Sequence, residues 1–326
     1  QILVDQLARQ SVDRVFCVPG ESYLAALDGL HGSGIETIIC RQEGGAAMMA
    51  EAAGKLTGRP GVAFVTRGPG ATNAAAGVHI AFQDSTPMIL FIGQVALHQR
   101  DREAFQEVDY RAMFAPLAKW VAEIELTERI PEYVSHAFHV AQSGRPGPVV
   151  LALPEDMLFA HATVADALPA TPVRSEVSED VVGAVAAELA AADRPLVIVG
   201  GSGWSAEAAA DLARVAEAYD LPVGASFRCQ DFLDNRHACY VGDVGIGINP
   251  KLAQRVKDAD LLLVLGARLG EITTSGYTLL DVPQPRQRLV HVHPDPSELG
   301  RVYRPDMAVA ARASDLVHRL AARPAN

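Results

Sequence analysis

Val62-Ala63-Phe64-Val65-Thr66-Arg67-Gly68-Pro69-Gly70-Ala71-Thr72-Asn73 reads as a buried strand, a Gly-Pro-Gly turn and the start of a helix made of small residues. The same unit occurs twice upstream. Val15-Phe16-Cys17-Val18-Pro19-Gly20 is an apolar strand ending in a turn, and Ile38-Ile39-Cys40 runs into Arg41-Gln42-Glu43-Gly44-Gly45-Ala46-Ala47. The second of these puts one carboxylate, Glu43, at the mouth of an apolar, small-residue helix. Taken alone, Glu43 is explained by the favourable interaction of a negative charge with a helix N-terminus. Its company suggests more: three strands deliver Pro19-Gly20, Glu43 and Gly68-Pro69-Gly70 from their carboxyl ends, where open parallel sheets bind ligands.

Outward from these units the alternation continues. Strands are expected near 15–18, 36–40, 62–66, 88–92 and 148–153, with helices near 2–10, 22–31, 44–57, 71–83 and 128–142. Repetition of strand, helix, strand implies a parallel sheet covered on both faces. From about Phe159 to Val177 the pattern lapses into Ala, Thr and Pro, including Pro169 and Pro172, which reads as a linker. Beyond it a second alternating series begins, with helices near 179–191, 205–219, 249–258 and 312–322 and strands near 195–199, 222–225, 261–265 and 288–292. The fold class is therefore α/β, with two doubly wound parallel-sheet domains at 1–158 and 178–326 and a linker at 159–177.

Composition narrows the function. The 326 residues are 49% hydrophobic and 21% charged, enough for two domains with separate cores. Aromatics make up only 6%, and the abundance of Ala, Val, Leu and Gly suits closely packed helix-on-sheet layers. A net charge of −11 argues against nucleic acid and against an anionic membrane face, since both select clustered Lys and Arg. No segment approaches the roughly 20 apolar residues of a membrane helix, and no charged-then-apolar leader precedes the first helix. Cys17, Cys40, Cys229 and Cys239 lack metal or redox spacing and read as reduced, structural thiols, so a soluble, cytoplasmic protein is expected. The first residue is Gln1, already inside a helical pattern, which predicts further natural sequence upstream.

Several motifs are weighed and set aside. Gly200-Gly201-Ser202-Gly203 follows a strand, but it is not Gly-x-Gly-x-x-Gly, and no acid closes the next strand, Leu221-Pro222-Val223-Gly224-Ala225. His291 and His293 flank Val292 on one strand face, yet only Asp295 stands nearby as a third ligand, so the pair reads as a structural, surface or strand-end feature and no metal site is assigned. The remaining histidines carry no triad spacing, and no Gly-x-Ser-x-Gly elbow is present.

The three turns, together with Pro87-Met88-Ile89-Leu90-Phe91-Ile92-Gly93-Gln94, Ala104-Phe105-Gln106-Glu107 and Ser143-Gly144-Arg145-Pro146-Gly147-Pro148-Val149, resemble the thiamine diphosphate enzymes of the acetolactate synthase type, in order and spacing over nearly the whole chain. The resemblance implies that Glu43 hydrogen-bonds N1′ of the cofactor's aminopyrimidine and favours the imino tautomer whose N4′ acts as the base. A carboxylate with a raised pKa suits that role, and Gly44, Gly45, Ala46 and Met48 supply small or apolar neighbours. It also implies that Pro19, Gly20, Gly68, Pro69 and Gly70 shape the pyrimidine pocket with Asn73 orienting the loop, and that Phe105, Gln106 and Lys119 lie near the substrate channel. The plain alternatives are that Phe105 is ordinary core and Lys119 a solvated charge.

Two departures from the family pattern stand out. Acetolactate synthases carry Pro-Gly-Gly in the first turn, whereas Glu21 and Ser22 follow Pro19-Gly20 here and put a carboxylate and a hydroxyl beside the substrate. The family also holds its diphosphate through Mg2+ on a Gly-Asp-Gly to Asn segment of a third domain. The nearest match, Gly242-Asp243-Val244-Gly245, lacks the glycine after Asp and reads as a loop of the second domain. FAD-using synthases tend to show Arg-Phe-Asp-Asp where this chain has Arg268-Leu269-Gly270-Glu271, which weighs against FAD. The resemblance thus implies part of a 2-oxo acid carboligase acting on small molecules as a homodimer or homotetramer. A decarboxylase of the benzoylformate or oxalyl-CoA kind, and a non-catalytic module lacking the diphosphate domain, stay open.

Overall fold

The computed structural model describes residues 1–173 and 175–323 and divides after Val173 into two units. In the first, the chain runs α1 (Ile2–Arg9), β1 (Arg14–Cys17), α2 (Leu24–Leu30), β2 (Glu36–Ile39), α3 (Glu43–Thr57), β3 (Gly61–Val65), α4 (Pro69–Asp84) and β4 (Met88–Gln94). It continues through α5 (Tyr110–Phe114), β5 (Trp120–Glu123), α6 (Ile130–Gln142), β6 (Pro148–Pro154) and α7 (Glu155–Phe159). The six strands form one parallel sheet in the order β2-β1-β3-β4-β6-β5. Every residue of β3, β4 and β6 is buried, which explains why they read as apolar runs without alternation.

The two faces of this sheet have different textures. One is covered by α1, α2 and α6, whose Leu7, Val134 and Phe138 join Phe64 and Phe91 of the sheet in a core of large side chains. The other is covered by α3, α4 and α5, and α3 and α4 meet it with Ala46, Ala47, Ala50, Ala71, Ala74 and Ala81. Small residues let α3 come down onto the sheet backbone. A Cβ at Gly61 would lie 1.8 Å from the Ala50 carbonyl oxygen, and one at Gly77 of α4 would lie 2.5 Å from Cβ of Ala47. Helix α3 itself starts where the Gln42 side chain accepts the Gly45 N–H at 2.9 Å and ends at Gly58, whose φ is +67°.

Sequence patterning missed α5, β5 and α7. Strand β5 has four residues at the sheet edge, half of them only partly buried, too short for a period to register. The stretch expected to be a linker also behaves differently along its length: α7 ends at its first residue, Phe159, and residues 166–170 are held on α1. The Gln6 amide donates to Asp166 at 2.7 Å and accepts the Ala167 N–H at 3.1 Å, Gln10 accepts the Ala170 N–H at 2.8 Å, and Arg9 pairs with Asp166. Those bonds are made by a non-periodic, extended segment and leave no pattern in the sequence.

The second unit runs α8 (Glu179–Ala191), β7 (Pro195–Val199), α9 (Ala206–Ala218), β8 (Val223–Ala225), β9 (Tyr240–Asp243), α10 (Pro250–Lys257), β10 (Leu261–Leu265), β11 (Arg288–His293), β12 (Met307–Ala310) and α11 (Ala313–Ala321). Its parallel sheet has the order β12-β11-β10-β7-β8-β9. The short edge strands β9 and β12 escaped the sequence reading. Asp243, the residue of the near-miss Gly242-Asp243 motif, closes β9 and accepts a hydrogen bond from Gln230 at 2.6 Å. His291 and His293 are buried rather than at the surface. His291 Nε2 lies 2.9 Å from the Ala267 carbonyl, and burial holds this imidazole down at about 4, so it is neutral at physiological pH. Among the described residues no helix is long and apolar enough to cross a membrane.

The contact of α3 with β3 yields a paired prediction. Gly61→Ala forces a methyl group onto backbone that cannot yield and is expected to cost about 3 kcal/mol, the upper part of the overpacking range. Gly45→Ala, exposed with nothing near its Cβ position, is expected to leave stability unchanged or raise it by up to about 1 kcal/mol. Urea denaturation of both variants checks the contrast; equal midpoints contradict it.

Candidate functional site

Parallel strands β1, β2 and β3 lie side by side, so the segments after their carboxyl ends converge on one edge of the first unit. Glu43 opens α3 there, half-buried. Its Oε2 accepts a 2.9 Å hydrogen bond from the Asn73 side-chain amide, one turn into α4. Asn73 therefore orients the carboxylate itself. Oε1 has no hydrogen-bond partner among the described residues, and Gly70 leaves the space beside it open: a Cβ at Gly70 would sit 3.5 Å from that oxygen.

Thr66, a residue that the sequence reading passed over, organises the turns around Glu43. The position of a Cβ at Gly20 lies 2.5 Å from Thr66 Cβ, and that of one at Gly70 lies 2.8 Å from Thr66 Cγ2, so both glycines are required for the turns to close on it. The Thr66 hydroxyl is 2.9 Å from that of Ser22, which also accepts the Arg67 N–H at 3.3 Å. Ser22 is fully buried, and a Cβ at Gly93 would strike it. Its hydroxyl thus ties the first turn to the third and does not face outward toward a substrate. Pro19 and Glu21, by contrast, are exposed at the rim. Tyr23 supports the same turn from below by donating to the Val18 carbonyl, and burial pushes its hydroxyl well above the usual phenol range.

Gly68 adopts φ +57°, and its amide donates to the Tyr110 hydroxyl at 2.8 Å; burial pushes that phenol up to about 12, so it stays a neutral acceptor. The backbone of Gln106 packs directly on Gly68, 3.0 Å from the Cβ position to its own carbonyl oxygen. Phe105 beside it is 77% exposed and is not core. Pro69 is exposed at the start of α4.

Lys119 does not join this group. It precedes β5, at the amino ends of the strands and so on the opposite edge of the sheet, where its ammonium donates to the Val140 and Ser143 carbonyls at the end of α6. The Ser143 to Val149 motif is likewise a packing device on that edge: Arg145 donates to Ser85 at 2.9 Å and to the Phe82 carbonyl at the end of α4. Nothing in the sequence marks which edge a residue reaches when the strand beside it is too short to be read.

The open oxygen of Glu43, its partner Asn73 and the turns at Gly20 and Gly70 stand together at this edge of the sheet. Residues 1–113 match the family model "Thiamine pyrophosphate enzyme, N-terminal TPP binding domain", and residues 182–320 match "Thiamine pyrophosphate enzyme, central domain". The chain belongs to the thiamine pyrophosphate enzymes. Among curated relatives of this family, it is 35% identical over 317 residues to the acetolactate synthase large subunit of Parasynechococcus marenigrum strain WH8102, covering 94% of this chain and 51% of that protein. It is 31% identical over 327 residues to the acetolactate synthase isozyme 3 large subunit of Escherichia coli K12, covering 98% and 56%, and 30% identical over 329 residues to a probable acetolactate synthase large subunit of Methanocaldococcus jannaschii, covering 99% and 55%. The chain spans about half the length of these relatives. Within the thiamine pyrophosphate fold, the residues 1–113 that match the binding-domain model contain Gly20, Glu43, Thr66, Gly70 and Asn73.

The position of Lys119 generates the prediction for this site. Lys119→Met removes a cation from helix-end carbonyls and is expected to lower stability by about 1 kcal/mol. Turnover of the full-length protein should stay within about twofold of the wild type. A loss of catalysis without loss of stability would return Lys119 to the substrate site.

Proposed function

We propose that this chain furnishes the pyrimidine-binding and central domains of a thiamine diphosphate-dependent 2-oxo acid carboligase of the acetolactate synthase type. The observation that carries the reading is the Glu43 carboxylate held through one oxygen by Asn73, with its other oxygen open beside Gly70. When bound, thiamine diphosphate supplies the nucleophilic thiazolium carbon and the electron sink for cleaving a bond next to a carbonyl. Glu43 would hold a proton at N1′ of the pyrimidine, and Asn73 orients the carboxylate for it. The bare backbones of Gly20 and Gly70 let the first and third turns close on Thr66, and Thr66 with Ser22 fixes the spacing of those turns beside Glu43.

Phe105 and Gln106, on the loop that rests on Gly68, line the approach of a small 2-oxo acid, with Glu21 at the rim of the first turn. The exposed Glu21 carboxylate, standing where acetolactate synthases carry glycine, favours one second reading: a different acceptor, or decarboxylation without ligation, at the same site. Mg2+ and the diphosphate belong to a further domain of the family, and FAD is left out of this reading on the Arg268-Leu269-Gly270-Glu271 departure after β10.

The enzyme works as a homodimer or homotetramer in the cytoplasm. Of the small residues of α4, Ala71, Ala74 and Gly77 are buried against their own unit. Among the exposed apolar side chains, Met48 and Met49, each 43% exposed, and Ile39, 59% exposed, offer one face to a second subunit.

Glu43→Gln in the full-length protein tests the assignment. A neutral amide cannot share the proton at N1′, so exchange of the C2 proton of bound cofactor should fall by more than about 100-fold, with the fold intact. Equal exchange rates would remove Glu43 from this role.

A further inference from the structure

The loop between β4 and α5 is strained and firmly tied. Asp101, Glu103 and Gln106 have φ of +62°, +52° and +64°, in the left-handed region that non-glycine residues avoid. Three such residues within six positions persist only where the surroundings over-determine the backbone, and such strain gathers at functional sites. The element that holds them is Glu107. Its carboxylate accepts the Asp101 N–H at 2.8 Å through one oxygen and the Ala104 N–H at 3.1 Å through the other, and its own N–H returns to the Ala104 carbonyl at 2.9 Å. These backbone bonds, Asp101 first, hold its carboxyl below the usual carboxylate range.

Glu107 is anchored in turn. Arg100 reaches it at 3.3 Å and also pairs with Glu123, which is buried at the carboxyl end of β5. The chain of contacts runs from the sheet edge through Glu123, Arg100 and Glu107 into the loop, and from Gln106 onto Gly68. Gly68 shares its turn with Gly70, whose missing side chain leaves room beside Glu43.

We infer that Glu107, braced by Arg100 and Glu123, is a positioning residue: it clamps the Phe105-Gln106 loop in its strained form over the Gly68 turn and so sets the wall that the 2-oxo acid meets. This rests on the proposed substrate role of Phe105 and Gln106. Among the described residues the carboxylate of Glu107 meets Asp101, Ala104 and Arg100 and not Glu43 or Asn73, so it acts on substrate handling and not on activation of the cofactor.

Two readouts test the clamp. In Glu107→Ala, amide hydrogen exchange at Asp101 and Ala104 should speed up by at least about 10-fold, the scale of losing one hydrogen bond, while exchange across Met88–Gln94 stays as in the wild type. In the full-length protein the same variant should raise the KM for pyruvate by about 10-fold or more, leaving C2 proton exchange of bound cofactor within about twofold. Glu107→Asp, which keeps the charge on a shorter arm, should recover part of the KM. Unchanged loop exchange would overturn the clamp, and so would a loosened loop with an unchanged KM. A parallel fall in C2 exchange would also overturn it, by placing Glu107 in cofactor activation. Failure of the Glu43 assignment is read separately, from Glu43→Gln, and leaves the amide-exchange result standing.

Discussion

The approach of α3 to β3, so close that Gly61 admits no side chain against the Ala50 carbonyl, fixes where Glu43 stands. A helix is rigid along its axis, so a backbone contact in the middle of α3 determines the height of its first residue above the sheet edge. The crossing of α3 with α4 at Ala47 and Gly77 then sets the distance between the two helix starts, and that distance lets Asn73 reach Glu43 in a single hydrogen bond. Larger residues at these contacts would lift the helices and part the pair. The alanine and glycine content of this face is therefore a condition of the site's geometry, whereas the opposite face, filled by Phe64, Phe91 and Phe138, supplies most of the large apolar side chains.

Strand order does the rest. Because β2, β1 and β3 are adjacent and parallel, turns far apart in sequence emerge on one edge. Thr66 then couples them, meeting Ser22 from the first turn and the bare backbones of Gly20 and Gly70. This is why Ser22, expected at the substrate, is fully buried: a hydroxyl two residues after Gly20 is drawn into the turn-to-turn bond, and the neighbouring Glu21 is left at the rim.

Much of this was legible in the sequence. The buried strands β3, β4, β6, β7 and β10 are apolar runs bounded by Gly, Pro or charge, and α3, α4 and α8 have lengths and compositions that nothing but a helix suits. Glu43 could be singled out because the Gly-rich turns after two other strands accompany it, whereas alone a carboxylate at a helix start is explained by the helix dipole. What could not be read depended on contacts between distant residues. The edge strands β5, β9 and β12 have only four residues each. Without β5 in view, the side of the sheet on which Lys119 lies is undefined. The left-handed backbone at Glu103 and Gln106 is invisible to propensity, since neither residue type favours it, and Asp101, whose type tolerates it, carries no signal without them.

The account stands on contact between Glu43 and the pyrimidine nitrogen. Nuclear magnetic resonance of thiamine diphosphate isotopically labelled at N1′, bound to the full-length protein with Mg2+, reports that contact directly. A hydrogen-bonded or protonated N1′ resonance, shifted well away from that of the free cofactor and returned to it by Glu43→Gln, is the predicted result. An N1′ signal matching the free cofactor in water, with Glu43 intact, would contradict the account.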